Sequence, residues 1–164
     1  MPETYEPIAT TTLGSNTSSV TFSSIPQTYT DLVLITNTLA TGTGNDGRLQ
    51  FNGDTSAIYS STQLFANGGS PTSNSNTNQT SLRLLNDYHS TLRSIGIVNI
   101  MNYTNSSKWK TCISRFGTSD YSTGTFVGTW RSNSAITSVT ILVTGGDSFV
   151  SGSVFSLYGI KAAL

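Results

Sequence analysis

Of 164 residues, one is a cysteine, one a histidine and four are prolines, and only 10% carry a charge. Each shortage excludes something. A lone Cys112 rules out an internal disulfide, and a lone His89 makes any zinc site depend on carboxylates, of which no pair sits at ligand spacing. Eight basic residues balance eight acidic ones, for a formal net charge of zero. The basic residues are scattered, Lys108 and Lys110 being the closest grouping, so the clustered charge that displaces counterions from nucleic acid is missing. No stretch shows helical periodicity with Lys on one side, as a membrane-surface helix would. No apolar run approaches the ~20 residues of a transmembrane helix. The start, Met1 to Pro7, has neither a basic nor an apolar region of a signal peptide. The protein is therefore expected to be made in a cytoplasm and not exported by the general secretory route, and the sequons at Asn16, Asn78, Asn102 and Asn105 carry no glycosylation meaning.

The hydrophobic share, 35%, is low, yet zero net charge with seven Phe, seven Tyr and two Trp is the composition of a folded chain. About a third of the residues are Ser or Thr. Thr supplies β-branched strand positions, and Ser, Asn and Gly supply turns. A near-neutral hydroxyl surface also forgoes like-charge repulsion, which suits a chain that works among packed copies. It equally suits a neutral β domain standing alone.

Strand-like segments alternate with turn clusters throughout. Asp31 to Leu39 suits a central strand, and Asn52-Gly53 after Leu49-Gln50-Phe51 favours the positive φ angles of a type I′ hairpin turn. In the second half, Ser94–Tyr103, Lys108–Phe116, Phe126–Arg131, Ala135–Val143 and Phe149–Ile160 read as strands. Trp109, Thr111, Ile113 and Arg115 share one face there, and Lys110 and Cys112 the other. Helix is expected only as a weak possibility over Ser81 to Leu92. Residues 66–81 form a low-complexity polar loop, either an interaction loop or a flexible tip. Eight to ten short strands predict an all-β antiparallel β-sandwich, with an eight-stranded jelly roll as first choice and an immunoglobulin-like sandwich as second. The expected organisation is an extended N-terminal arm over residues 1–7 and a single sandwich domain over 8–164.

Little here points to catalysis. A Cys112–His89 nucleophile pair lacks an activating context. The eight acidic residues lie mostly in predicted turns, which disfavours paired glycosidase carboxylates. Asn45-Asp46-Gly47 and Asn52-Gly53-Asp54 offer oxygens to calcium without the loop pattern of a calcium site. Trp109 and Trp130 are expected in the core, while Tyr59, Tyr103 and Tyr121 beside turns are the candidates for sugar stacking. No catalytic, cofactor-binding or metal-binding residue is assigned.

Leu49-Gln50-Phe51-Asn52-Gly53-Asp54-Thr55 with Tyr59-Ser60, and the closing Phe155-Ser156-Leu157-Tyr158-Gly159-Ile160-Lys161-Ala162-Ala163, resemble small proteins of tailed bacteriophages of aquatic bacteria. Tyr5-Glu6-Pro7-Ile8-Ala9-Thr10, Tyr29-Thr30-Asp31-Leu32-Val33-Leu34 and Ala135-Ile136-Thr137-Ser138-Val139-Thr140 fit the same pattern. The resemblance covers nearly the whole chain and rests on scaffold motifs. It implies a non-enzymatic virion structural protein, foremost a capsid decoration (cement) protein acting as a homotrimer on the major capsid protein. The alternative is a tail-fibre or receptor-binding module for host surface glycan. No cofactor, nucleic acid or membrane is expected as a partner.

Overall fold

The computed structural model describes residues 4–161, and among them every regular element is a strand. The twelve strands are β1 (Tyr5–Thr12), β2 (Ser19–Phe22), β3 (Asp31–Thr38), β4 (Gly47–Phe51), β5 (Tyr59–Ala66), β6 (Thr72–Gln79), β7 (Leu82–Leu85), β8 (Ser94–Met101), β9 (Lys110–Thr118), β10 (Ser122–Trp130), β11 (Val139–Val143) and β12 (Val154–Ile160). They form two antiparallel sheets. The larger has eight strands in the order β1-β12-β3-β8-β9-β10-β5-β6, and the smaller four in the order β2-β11-β4-β7. The all-β antiparallel sandwich is as the sequence implies. Twelve strands divided eight and four are more than the eight of a jelly roll, so that finer expectation gains no support.

Alternation places the core between the sheets. Burial along β9 and β12 switches at every residue, as expected when one face packs and the other does not. Leu49, Phe51, Val139 and Ile141 of the small sheet meet Leu34, Val98, Phe126 and Leu157 of the large one in a single cluster. Hydroxyls share this interior. Ser94 and Thr118 bond to each other at 2.7 Å, and Ser122 Oγ donates to the Asn86 carbonyl at 3.3 Å. Pairing lets a Ser/Thr-rich chain bury these groups without stranding them.

Asn52-Gly53 does form the expected turn, with φ of 54° and 66° and the Asp54 N–H donating to the Phe51 carbonyl at 2.9 Å. It does not make a hairpin, however. β4 pairs with β11 and β7 in the small sheet, and β5 with β10 and β6 in the large one. The turn carries the chain from one sheet to the other.

Three other expectations need correction. Tyr5, Glu6 and Pro7 belong to β1 and pair with Ile160, Gly159 and Tyr158, so they are no extended arm; residues 1–3 lie outside the described residues. Proline is tolerated there because β1 is an edge strand. Within 66–81, residues Thr72–Gln79 are strand β6, held by backbone pairing to β5 rather than by buried side chains. The segment with helical spacing after Ser81 becomes β7, whose Leu82 and Leu84 point inward two residues apart, and Asp87 with φ 56° turns the chain beyond it.

Candidate functional site

Candidates for chemistry are dispersed or already occupied. Cys112 is buried in β9 with its thiol pushed up to about 12 by burial, which leaves negligible thiolate at neutral pH. His89 lies elsewhere, its ring edge-on to Tyr121 at 4.9 Å and its Nδ1 accepting from the Thr91 N–H. Most of the calcium candidates' carboxylates and amides already have partners. Asp46 binds Arg48 and Arg83 at 2.8 and 2.7 Å, Asn52 holds backbone groups of the 135–138 segment, and Asp54 accepts from Ser56 and Trp130. Among the described residues no group of three or more His, Cys, Asp and Glu side chains comes together.

The aromatic expectations are partly reversed. Trp130 is buried as expected, but Trp109 is 58% exposed, because it precedes β9 on its outward parity. Tyr59 and Tyr103, expected near the surface, are fully buried. The Tyr59 hydroxyl accepts from the Phe51 N–H and donates to the Asp54 carbonyl, and burial raises it to about 12. The Tyr103 hydroxyl donates to the Pro26 carbonyl. Proximity to a turn misled here: each ring lies inside while its hydroxyl reaches the turn's backbone. Tyr121 alone remains at the surface, beside an open hollow of about 380 Å³ lined by Gly68, Gly69, Asp120 and Thr123.

The outward face of the large sheet is the feature that stands out. Ile35, Ile95, Val127 and Leu64 are 37%, 52%, 49% and 54% exposed. Ile35 lies directly opposite Ile97 on β8, and Val127 directly opposite Ile113 on β9. Ile97 faces Arg115, so Ile113, two residues before it, is the diagonal neighbour of Ile97. Leu64 is likewise diagonal to Val127, which pairs with Thr62. Diagonal neighbours on one face are within reach of long side chains. The result is an apolar band crossing β3, β8, β9, β10 and β5, about 20 Å across at the usual strand spacing. Polar residues interleave with it: Arg115 and Asn99, 3.5 Å apart, and Thr62 and Thr125 opposite Val127 and Leu64.

A sequence signal for this band existed. Ile95-Gly96-Ile97-Val98-Asn99-Ile100 and Leu32-Val33-Leu34-Ile35 put apolar residues on both parities, which reads as a strand meant to be covered on both sides. The small sheet covers one side only.

No protein-family model matches the chain, and no curated protein matches it. Two solved structures align over 98% of it. A protein of unknown function from Shewanella oneidensis MR-1 shares 9% identity, with 77% of that chain covered and a TM-score of 0.24. A family two carbohydrate esterase from Cellvibrio japonicus shares 13% identity, with 36% of that chain covered and a TM-score of 0.20.

Proposed function

We propose that this chain is a non-enzymatic virion structural protein of a tailed bacteriophage, a capsid decoration protein that groups as a homotrimer and bridges neighbouring capsid subunits. The apolar band on the outward face of the large sheet carries this reading. An exposed contiguous apolar surface on a near-neutral domain favours contact with protein, and its place on a sheet rather than in a cleft favours a broad, flat partner. Bridging adds buried area across joints that packaged DNA strains outward. The resemblance to phage proteins supplies the particle.

The test is co-sedimentation of the purified chain with expanded capsids that lack it, alongside Ile95→Asp/Val127→Asp. Both side chains point outward, so the variant is expected to keep its far-UV spectrum and to lose capsid binding. Failure of the wild-type chain to bind, or equal binding by the variant, overturns the reading.

A second reading rests on the hollow beside Tyr121: a tail-fibre-associated module that holds host glycan. Sugar stacking on Tyr121 predicts retention of the chain on a glycan array and its loss in Tyr121→Ala. Retention by the array with no binding to capsids would put this reading first.

A further inference from the structure

The two sheets have four edges, and three of them are blunted. β1 carries Pro7, a register shift between Pro7 and Ala9, and the Glu6–Lys161 ion pair at 2.6 Å. β2 and β7 have only four residues each, and β7 adds Arg83 and a register shift in its pairing with β4. Short strands, charges, prolines and bulges are the means by which proteins keep edges from pairing. β6 has none of these along most of its length. It spans eight residues, Thr-Ser-Asn-Ser-Asn-Thr-Asn-Gln, without charge or proline. Its one irregularity is a register shift against β5 between Asn76 and Gln79, which takes in Thr77 and Asn78 (φ 55°) and leaves Thr72–Asn76 regular; there Arg131 donates to the Asn78 side chain at 2.7 Å. Six of the eight residues are exposed, on both parities, so neither side of the strand is covered and its outer edge faces solvent.

The order of side chains says what would pair with it. In an antiparallel pairing centred on Ser75, Ser75 meets Ser75 of a second copy, Asn74 meets Asn76, and Ser73 meets Thr77. Amide then faces amide and hydroxyl faces hydroxyl, and each of these groups both donates and accepts. With no charge on the strand, nothing repels an identical one. An apolar peptide, by contrast, would meet hydroxyls and amides along this edge, and the one hollow beside Ser75 and Thr77 is lined mostly by Ser and Thr, without the apolar pockets that strand-addition sites use to select side chains.

We infer that β6 is a self-association edge, joining two copies of this chain about a two-fold axis at Ser75 into one continuous sheet. Such a contact is isologous and closed, so each edge takes one partner copy and leaves the other surfaces, a trimer contact included, free. One strand pair buries little surface, so the dimer forms at high local concentration, as on a crowded particle. The inference does not depend on the virion reading, and the test below touches only the edge.

Cysteine placement tests both contact and register, since Cys112 is buried and leaves the surface without a thiol. Directly opposed residues in antiparallel strands lie about 4.5–5.5 Å apart between Cα atoms, within disulfide reach. Ser73 in the two copies would be separated by about four residues of strand, roughly 13 Å, and out of reach. Under mild oxidation Ser75→Cys is expected to give a covalent dimer at least tenfold faster than Ser73→Cys. A mixture of Asn74→Cys with Asn76→Cys, both in the regular part of the strand, is expected to give the mixed dimer. Far-UV spectra check that each variant is folded. Crosslinking of Ser75→Cys no faster than that of Ser73→Cys overturns the inference, and leaves capsid binding through the apolar band unaffected.

Discussion

The indole N–H of Trp130 donates to Asp54 Oδ2 at 2.9 Å and so ties the end of β10 to the turn that leaves β4. The same carboxylate accepts from the Ser56 N–H at 2.9 Å. Burial alone would raise the Asp54 carboxyl, but the hydrogen bonds from Ser56 and Trp130 outweigh it and hold the group below its ordinary value. The folded state therefore binds fewer protons at this site than the unfolded state does. Stability is full above the ordinary value of 3.8 and is lost as pH falls through the lower, folded value. Urea titrations from pH 6 downward should show an acid-side decline that is shallower in Asp54→Asn. An identical decline in the variant would remove Asp54 as its source.

The turn itself supplies a second prediction. Asn52 Oδ1 accepts from the Thr137 and Ser138 N–H groups at 2.8 and 3.1 Å, and its Nδ2 donates to the Ala135 carbonyl at 2.8 Å. Asn52→Ala removes these bonds and also places alanine at φ 54°, a left-handed conformation that asparagine tolerates better, and should cost about 2–3 kcal/mol. Gly53 sits at φ +66° with open space around a would-be Cβ, so Gly53→Ala meets no clash and should cost only the left-handed backbone penalty, about 1–2 kcal/mol. Equilibrium unfolding in urea ranks the two, and the asparagine should be the more costly loss.

The two tryptophans should behave as opposites. Trp130 packs against Phe51 at 5.6 Å and stacks with Tyr59 at 6.3 Å, while Trp109 stands in solvent. Trp130→Ala should cost about 3–5 kcal/mol, and Trp109→Ser should change stability by no more than about 0.5 kcal/mol. Iodide quenching supplies an independent measurement: the Trp109 emission should be quenched and the Trp130 emission protected. Comparable protection of both would mean that something covers Trp109 in solution.

Strand after strand was legible in the sequence wherever apolar residues recur at every second position, as in Val139, Ile141 and Val143. What was not legible turned on information outside the local pattern. β6 has no apolar alternation because it is an edge held by the backbone of β5, and a bare composition of Ser, Thr and Asn is the same for a loop and for such an edge. Asn52-Gly53 specified its turn but not which sheet each flanking strand would join, since pairing partners are chosen by distant residues. Tyr59 and Tyr103 carried no mark of burial, because their hydroxyls find partners in turns that only the fold brings near. The apolar band was written in the double-parity runs of β3 and β8, but its continuity depends on register across five strands.

Lys110 is the least expected member of the core. It is fully buried, opposite Trp130 in the pairing of β9 with β10. Its ammonium donates to the carbonyls of Asn105 and Lys108, the latter at 2.9 Å, with the Asn133 carbonyl at 3.5 Å. One cation thus closes the 102–108 turn and fastens it to the segment after β10. Burial pushes its pKa down, so the folded state holds this proton less tightly than the unfolded state. Stability is expected to rise as pH increases through the folded value toward the ordinary 10.5. Lys110→Met keeps the apolar stem but leaves the carbonyls without a donor, for a cost of about 2–3 kcal/mol. It should also abolish the rise on the alkaline side. Hydrogen exchange should then show the 102–108 amides opening first, ahead of β9 itself. If the variant were as stable as the wild type, the ammonium would be a tolerated burial and the turn would be held by Asn105, whose Oδ1 accepts from Ser107 and Lys108 at 2.8 and 2.9 Å.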